Sequence, residues 1–284
     1  MSIIDRLLQQ LWGLPASNAA QISDEWFRAH FHYATDVVNQ WLGRVLDWRS
    51  AKVLSFGCGD GITDLSLVLR YGARDIHGID IRREYAKLRG IAKQQLGMSR
   101  LPAGLHFETI KPGASLSARL RVDGIFSWST FEHIQKDQLE AIASDLYETL
   151  KPGGHFFLQI EPLFYSPYGS HLRRYDSVPW HHLRATDDEL WAVIDAHQGE
   201  IDGAERDFGF DDFGVEGYKK FVFNEYQTLN RLTADELVAL MTGVGFTLVR
   251  QERRRTDLPI PDELRGRYPE DDLLTNEIFL LLGK

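Results

Sequence analysis

A single cysteine, Cys58, stands among 284 residues, so no intrachain disulfide can form and nothing asks for an oxidising compartment. Long apolar runs are missing too: none approaches the ~20 residues that a membrane-spanning helix needs. Asp5 and Arg6 interrupt the apolar start of the chain, which argues against a secretory signal and makes a cytoplasmic protein the expectation. Basic excess is absent as well. Lys and Arg number 32 against 41 Asp and Glu, a formal net charge of −9, and such a chain repels phosphate backbones and anionic lipid. Nucleic acid is therefore excluded as a first partner, and the runs Arg82-Arg83, Arg173-Arg174 and Arg253-Arg254-Arg255 read as solvated faces. Neither an internal repeat nor a low-complexity tract occurs.

What is present is an alternating rhythm. Ile4, Leu7, Leu8 and Leu11 form a short apolar stripe suited to packing on the body of the chain. Ser23 can cap a helix in which Phe27, Phe31, Ala34, Val38, Trp41 and Val45 recur at helical spacing. Strands are predicted at 53–56, 76–80, 105–108, 122–127 and 155–160, with helices from Ile62, over 84–95, and through Leu139, Ile142, Leu146 and Leu150 until Pro152-Gly153-Gly154 stops the last. Residues 162–231 break the pattern with aromatics, histidines and acids. A capping box, Thr233 with Glu236, then opens a further helix, and 246–249 and 278–282 read as final strands joined by a polar link over 251–275. This alternation implies an α/β fold, a mainly parallel, Rossmann-like sheet of seven strands with helices on both faces. One domain is expected: an N-terminal helical cap over 1–50, a core over 51–161, an insertion over 162–231, and a last helix with two strands over 232–284.

The chemistry concentrates between the first strand and the second. In VLSFGCGDG, Gly57, Gly59 and Gly61 sit between a buried strand and a helix, where the backbone must turn sharply and let a ligand approach. A dinucleotide fingerprint would want a small residue where Ile62 stands, which counts against NAD and an oxidoreductase. Asp80 ends the second strand in GIDI, where a carboxylate can accept hydrogen bonds from both ribose hydroxyls; the competing reading is a cap for the next helix.

Together VLSFGCGDG, GIDI, FSWSTFEHI and LKPGGHFFLQIEP resemble the successive motifs of class I S-adenosylmethionine-dependent methyltransferases, over residues 52–161. The resemblance implies S-adenosylmethionine as cofactor. It makes Ser55, Gly57, Gly59, Gly61, Asp80, Ser127 and Trp128 cofactor positions and puts Ser129 and Glu132-His133 after the fourth strand, beside the transferring methyl group. Two departures stand out. Ser55 occupies the place of an acid two residues before the first glycine, and only Glu108 or Thr109-Ile110-Lys111 follows the third strand. A catalytically silent cofactor-binding partner is the alternative these departures raise, unless another residue substitutes. Phe107, Ile110 and Ile79 are open as adenine contacts or plain core residues, and Cys58 reads as a small residue filling the turn.

His133 is a candidate base, since an imidazole titrates near neutrality, or else a structural group at a helix start; His171 is the second catalytic candidate. Tyr165, Tyr168, Tyr175, Trp180 and His181 in the insertion suit a partly apolar acceptor with polar handles, or a small core of its own. His171, His181, His182 and Asp176 lack ligand spacing, so no metal is expected. The acceptor expected is a small molecule or glycan, methylated on oxygen by preference, and the insertion also offers a surface on which two copies could pair as a homodimer.

Overall fold

The computed structural model describes residues 22–201 and 210–284; the stripe of Ile4, Leu7, Leu8 and Leu11 lies outside the described residues. Chain order begins with α1 (Glu25–Arg28), a π-helical segment (Ala29–Ala34) and α2 (Thr35–Trp41), which run on as one rod. Asp24, not Ser23, caps it: the Asp24 side chain accepts the Phe27 N–H, and a carboxylate at that end also meets the positive pole of the helix. Then follow β1 (Lys52–Phe56), α3 (Ile62–Tyr71), β2 (Asp75–Asp80), α4 (Leu88–Leu96), β3 (Leu105–Thr109), β4 (Val122–Trp128), α5 (Leu139–Thr149) and β5 (Leu150–Ile160). The insertion holds α6 (Asp187–Ala196) and α7 (Phe210–Thr228). Last come α8 (Ala234–Gly243), β6 (Thr247–Arg255), α9 (Glu270–Leu274) and β7 (Thr275–Gly283).

The seven strands form one sheet in the order β3-β2-β1-β4-β5-β7-β6, with β7 antiparallel to both neighbours and the other pairs parallel. Side-chain alternation shows why it is buried on both sides. Leu54, Ile125, Phe156, Leu158, Ile278 and Leu280 face α5 and α8 through Leu139, Leu146, Leu237 and Met241. Val53, Phe126, Phe157, Phe279 and Leu281 face α2 and α3 through Val38, Trp41 and Leu67. The order reverses between β1 and β4, so their carboxyl ends open a crevice, the place where α/β sheets bind ligands. No helix among the described residues is long and apolar enough to cross a membrane.

Three boundaries differ from the sequence reading. The helix expected over 84–95 opens as a 3-10 turn, Glu84–Lys87, before α4. Leu150 is extended and begins β5, so the helix stops one residue earlier, and Pro152-Gly153-Gly154 lie inside the strand at a register shift opposite Val122 and Gly124. Gly153 and Gly154 also hydrogen-bond Lys284 at 2.9 and 3.1 Å, which stitches this bulge to the end of the chain. Finally, β6 continues through the charged run to Arg255, because an edge strand tolerates charge on its open side.

Candidate active site

Leaving β1, the backbone adopts positive φ at Gly57, Gly59 and Gly61 (+73°, +53° and +76°). A Cβ on Gly57 would stand 2.3 Å from Thr130, and one on Gly61 2.7 Å from Phe107; on Gly59 it would meet nothing within 4 Å. Two glycines are thus required by packing as well as by backbone conformation, while the third turns its bare side to the crevice, where a ligand can lie against it. The Asp80 carboxylate ties loop to strand: Oδ2 accepts the Gly59 N–H at 2.9 Å and Oδ1 the Arg82 N–H at 2.8 Å. Each oxygen keeps a lone pair for a hydroxyl. The N-terminal helix closes on the same loop, since Trp26 Nε1 donates to Asp60 Oδ2 at 2.8 Å.

Ser55 has an acid beside it after all. Its Oγ donates to Oδ2 of Asp64, a fully buried carboxyl in the first turn of α3, at 3.3 Å. Burial, with the Asp60 and Asp80 carboxylates adding to it, pushes the Asp64 carboxyl up to about 7, and its Oδ1 has no hydrogen-bond partner. An acid thus stands beside Ser55, on the helix rather than on the strand. Nothing local in the sequence distinguishes Asp64 from an ordinary first-turn acid. Cys58 lies between these groups, and burial followed by Asp64, Asp80 and Asp60 raises its thiol well above the ordinary range, so it is no nucleophile.

At the end of β4, Ser127 Oγ donates to the Phe56 carbonyl at 3.0 Å, joining β4 to β1 at the root of the crevice. Trp128 meets Tyr33 of the N-terminal helix edge to face at 6.0 Å, and Ser129, at φ +44°, donates from its backbone N–H to Gln159. Phe107 stacks on Tyr85 at 5.2 Å beneath the glycine loop. Ile79 is buried in the sheet core, with Ile110 packed against it.

Glu132 and His133 follow in a 3-10 turn, Phe131–His133, and the insertion brings His171 to them: the two imidazole rings stand edge to face at 5.2 Å. Burial pushes the Glu132 carboxyl up to about 8. Burial, with the Arg82 and Arg174 guanidiniums, lowers His133 to about 4, and burial with His133 and Arg174 drives His171 well below the usual imidazole range. Both rings are thus neutral at pH 7, each with a lone pair on one ring nitrogen. The α7 helix covers them, with Glu225 Oε2 3.4 Å from His133 Nδ1 and 3.7 Å from Arg82.

The other insertion residues are placed apart from this group. Trp180 is 1% exposed and its Nε1 donates to the carbonyls of Tyr165 and Leu273, while Tyr175 is buried in the same insertion core. His181 hydrogen-bonds Asp176 at 2.6 Å and His182 the Phe164 carbonyl at 2.7 Å. Among the described residues His171, His181, His182 and Asp176 form no common cluster. Tyr165 packs on Tyr268. Tyr168 alone of the five proposed acceptor residues lines a cleft of about 300 Å³ at the ends of β5, β6 and β7, together with Glu161, Arg173, Arg254, Asn276 and Glu277. Burial and the Glu161 carboxylate push Glu277 up to about 7, although Gln159 donates to it at 2.7 Å.

Comparison with known proteins agrees with this geometry. The methyltransferase-domain family matches residues 26–251. A search of functionally curated proteins gives no match. Among solved structures, the 4+2 cyclase SpnF is similar at 15% identity and a TM-score of 0.52, over 89% of this chain and 80% of that one. An S-adenosylmethionine-dependent methyltransferase from Mesorhizobium loti aligns at 15% identity and 0.49, over 88% and 100%. One from Methanosarcina mazei aligns at 16% and 0.48, over 85% and 95%. Of these only the cyclase, above 0.5, speaks for the fold, and for the fold alone; the family match over most of the chain carries the assignment. The chain belongs to the methyltransferase-domain family and is an S-adenosylmethionine-dependent methyltransferase.

Proposed function

We propose that the chain methylates an oxygen of a small acceptor, a small-molecule or sugar hydroxyl, enclosed between the carboxyl edge of the sheet and residues 162–231 acting as a lid. The observation that carries this reading is the meeting of buried Glu132 with half-buried His133 and His171 just past β4, the two imidazoles 5.2 Å apart and both neutral. An amine attacks with its own lone pair, whereas a hydroxyl has to shed a proton, and the imidazole lone pairs beside the end of β4 can take it. S-adenosylmethionine, when bound, supplies a methyl group on a sulfonium, so that the C–O bond forms as the C–S bond breaks and its electron pair stays on sulfur.

The chain's own residues do the rest. Asp80 takes the ribose hydroxyls, Gly59 gives a bare backbone for close approach, and Ser55 with Asp64 orients the glycine loop or the cofactor's ammonium group. Ser127 and Trp128 form the floor between cofactor and acceptor. The hydroxyl proton leaves toward His133 and His171. Tyr168 borders the acceptor, and Tyr165, Tyr175, Trp180 and His181 stiffen the wall behind it. Most of the rate comes from alignment and exclusion of water.

An acceptor screen of phenols, sugars and amines with methyl-labelled cofactor tests this. A methyl ether product, with kcat lowered about a hundredfold in His133→Asn, is the expected outcome. A methylamine product, or full activity in His133→Asn, would refute the reading.

A further inference from the structure

Three atoms in the Glu132, His133 and His171 group have no hydrogen-bond partner in the buried interior, Glu132 Oε1 and Oε2 and His171 Nε2, while His133 Nδ1 faces the Glu225 carboxylate at 3.4 Å. Buried polar atoms are nearly always paired, and a carboxylate with both oxygens bare calls for an ion or a proton. One ligating atom from each of the three residues lies within 4.8 Å of the others. His171 keeps its Nε2 buried without a hydrogen-bond partner, while the Pro162 backbone beside the ring opposes the fall in pKa that burial causes. The His171 backbone holds φ at +61°, a conformation sustained only where the surroundings enforce it. A void of about 10 Å³ borders Glu132 and His171, the room of one water or one cation.

We propose that Glu132, His133 and His171 bind one divalent transition-metal cation. Two imidazoles with one carboxylate are the donor set of zinc, iron(II), cobalt or manganese sites with open positions. Arg82 and Arg174 flank the group, so charge alone would not hold calcium or magnesium here, while nitrogen ligation favours the transition series. In function this rests on the O-methylation reading and changes only its proton acceptor: an open position on the cation takes the acceptor oxygen and lowers its pKa, so that the hydroxyl proton passes to solvent water while the imidazoles serve as ligands.

The test is calorimetric titration of the chelator-stripped full chain with Co²⁺, read in parallel by visible d–d absorption. One Co²⁺ per chain is expected, and Glu132→Gln should weaken it by at least about tenfold. His171→Asn, which tolerates the positive φ, should do the same. Asp75→Asn, in the separate group of Asp75, His77 and His106, should leave binding unchanged. The absence of binding at millimolar Co²⁺, or binding lost in Asp75→Asn but not in Glu132→Gln, would overturn the proposal. Methyl ether formation undiminished after chelation also overturns it and leaves O-methylation standing. Co²⁺ binding with the expected variant pattern beside a methylamine product keeps the cation site and removes the O-methylation reading.

Discussion

The two halves of the crevice are built differently. On the side proposed for the cofactor polar groups answer one another at short range: the Gly57 and Cys58 amides share the Ile79 carbonyl, Gly59 meets Asp80, and Trp26 meets Asp60. On the insertion side the chain encloses groups without partners, with Glu132 and His171 the clearest, behind an apolar core of the insertion's own. A half whose ligand is always the same nucleotide can complete its bonding in advance. The half proposed for the acceptor leaves valences open, and these are the ones assigned above to a cation. Asp64 is the exception on the cofactor side, and its bare Oδ1 marks the place where that half still lacks a charged partner.

This contrast is broken most forcefully in the insertion. Trp180→Ala removes a fully buried indole and should cost about 3–5 kcal/mol of stability. If the halves are independent, calorimetry on the variant should still find S-adenosylhomocysteine bound with its original affinity below the melting transition. Joint loss of both would show one cooperative site instead.

Asp64→Asn probes the exception. The Asp64 carboxyl sits at about 7 in the fold against about 3.9 in the unfolded chain, so the fold holds its proton more tightly. Its contribution is complete below pH 4 and is lost as pH rises toward 7, a decline of order ~4 kcal/mol at about 1.4 kcal/mol per pH unit. Urea midpoints for Asp64→Asn should therefore decline less between pH 4 and 7 than those of the parent. Parallel profiles would mean that Asp64 is ionised in the fold throughout. Next in size is Asp80→Ala, expected to weaken S-adenosylmethionine by about 3 kcal/mol, two charge-assisted hydrogen bonds, or roughly a hundredfold; unchanged affinity in calorimetry would remove Asp80 from the ribose site.

The same contrast explains what was legible in the sequence. Glycine turn, Asp80 and the alternating strands are local patterns: a strand of period two running into glycines carries its meaning within a dozen residues, and the sheet order follows from it. Asp64 answering Ser55 requires knowing how the first turn of α3 leans back on β1. His171 meeting Glu132 spans a gap of sequence with no spacing rule, and it depends on how the insertion folds over β4. The charged run ending at Arg255 read as a link, because a strand at a sheet edge needs no apolar alternation on its open side.

The smallest effect sharpens the boundary between the halves. Trp26 belongs to the N-terminal helix, which touches both: its indole reaches the glycine loop through Asp60, while Tyr33 two turns on meets Trp128 and the Arg254 guanidinium. Trp26→Phe keeps an aromatic ring against His30, 4.3 Å away, and deletes one N–H. A half-buried bond to a carboxylate is worth about 1 kcal/mol, roughly fivefold in affinity. A fivefold weaker cofactor with an unchanged acceptor KM would assign the helix to the cofactor half. A raised acceptor KM with cofactor affinity intact would instead make it part of the acceptor enclosure, and its grip on Asp60 would then serve to close the site rather than to shape the loop.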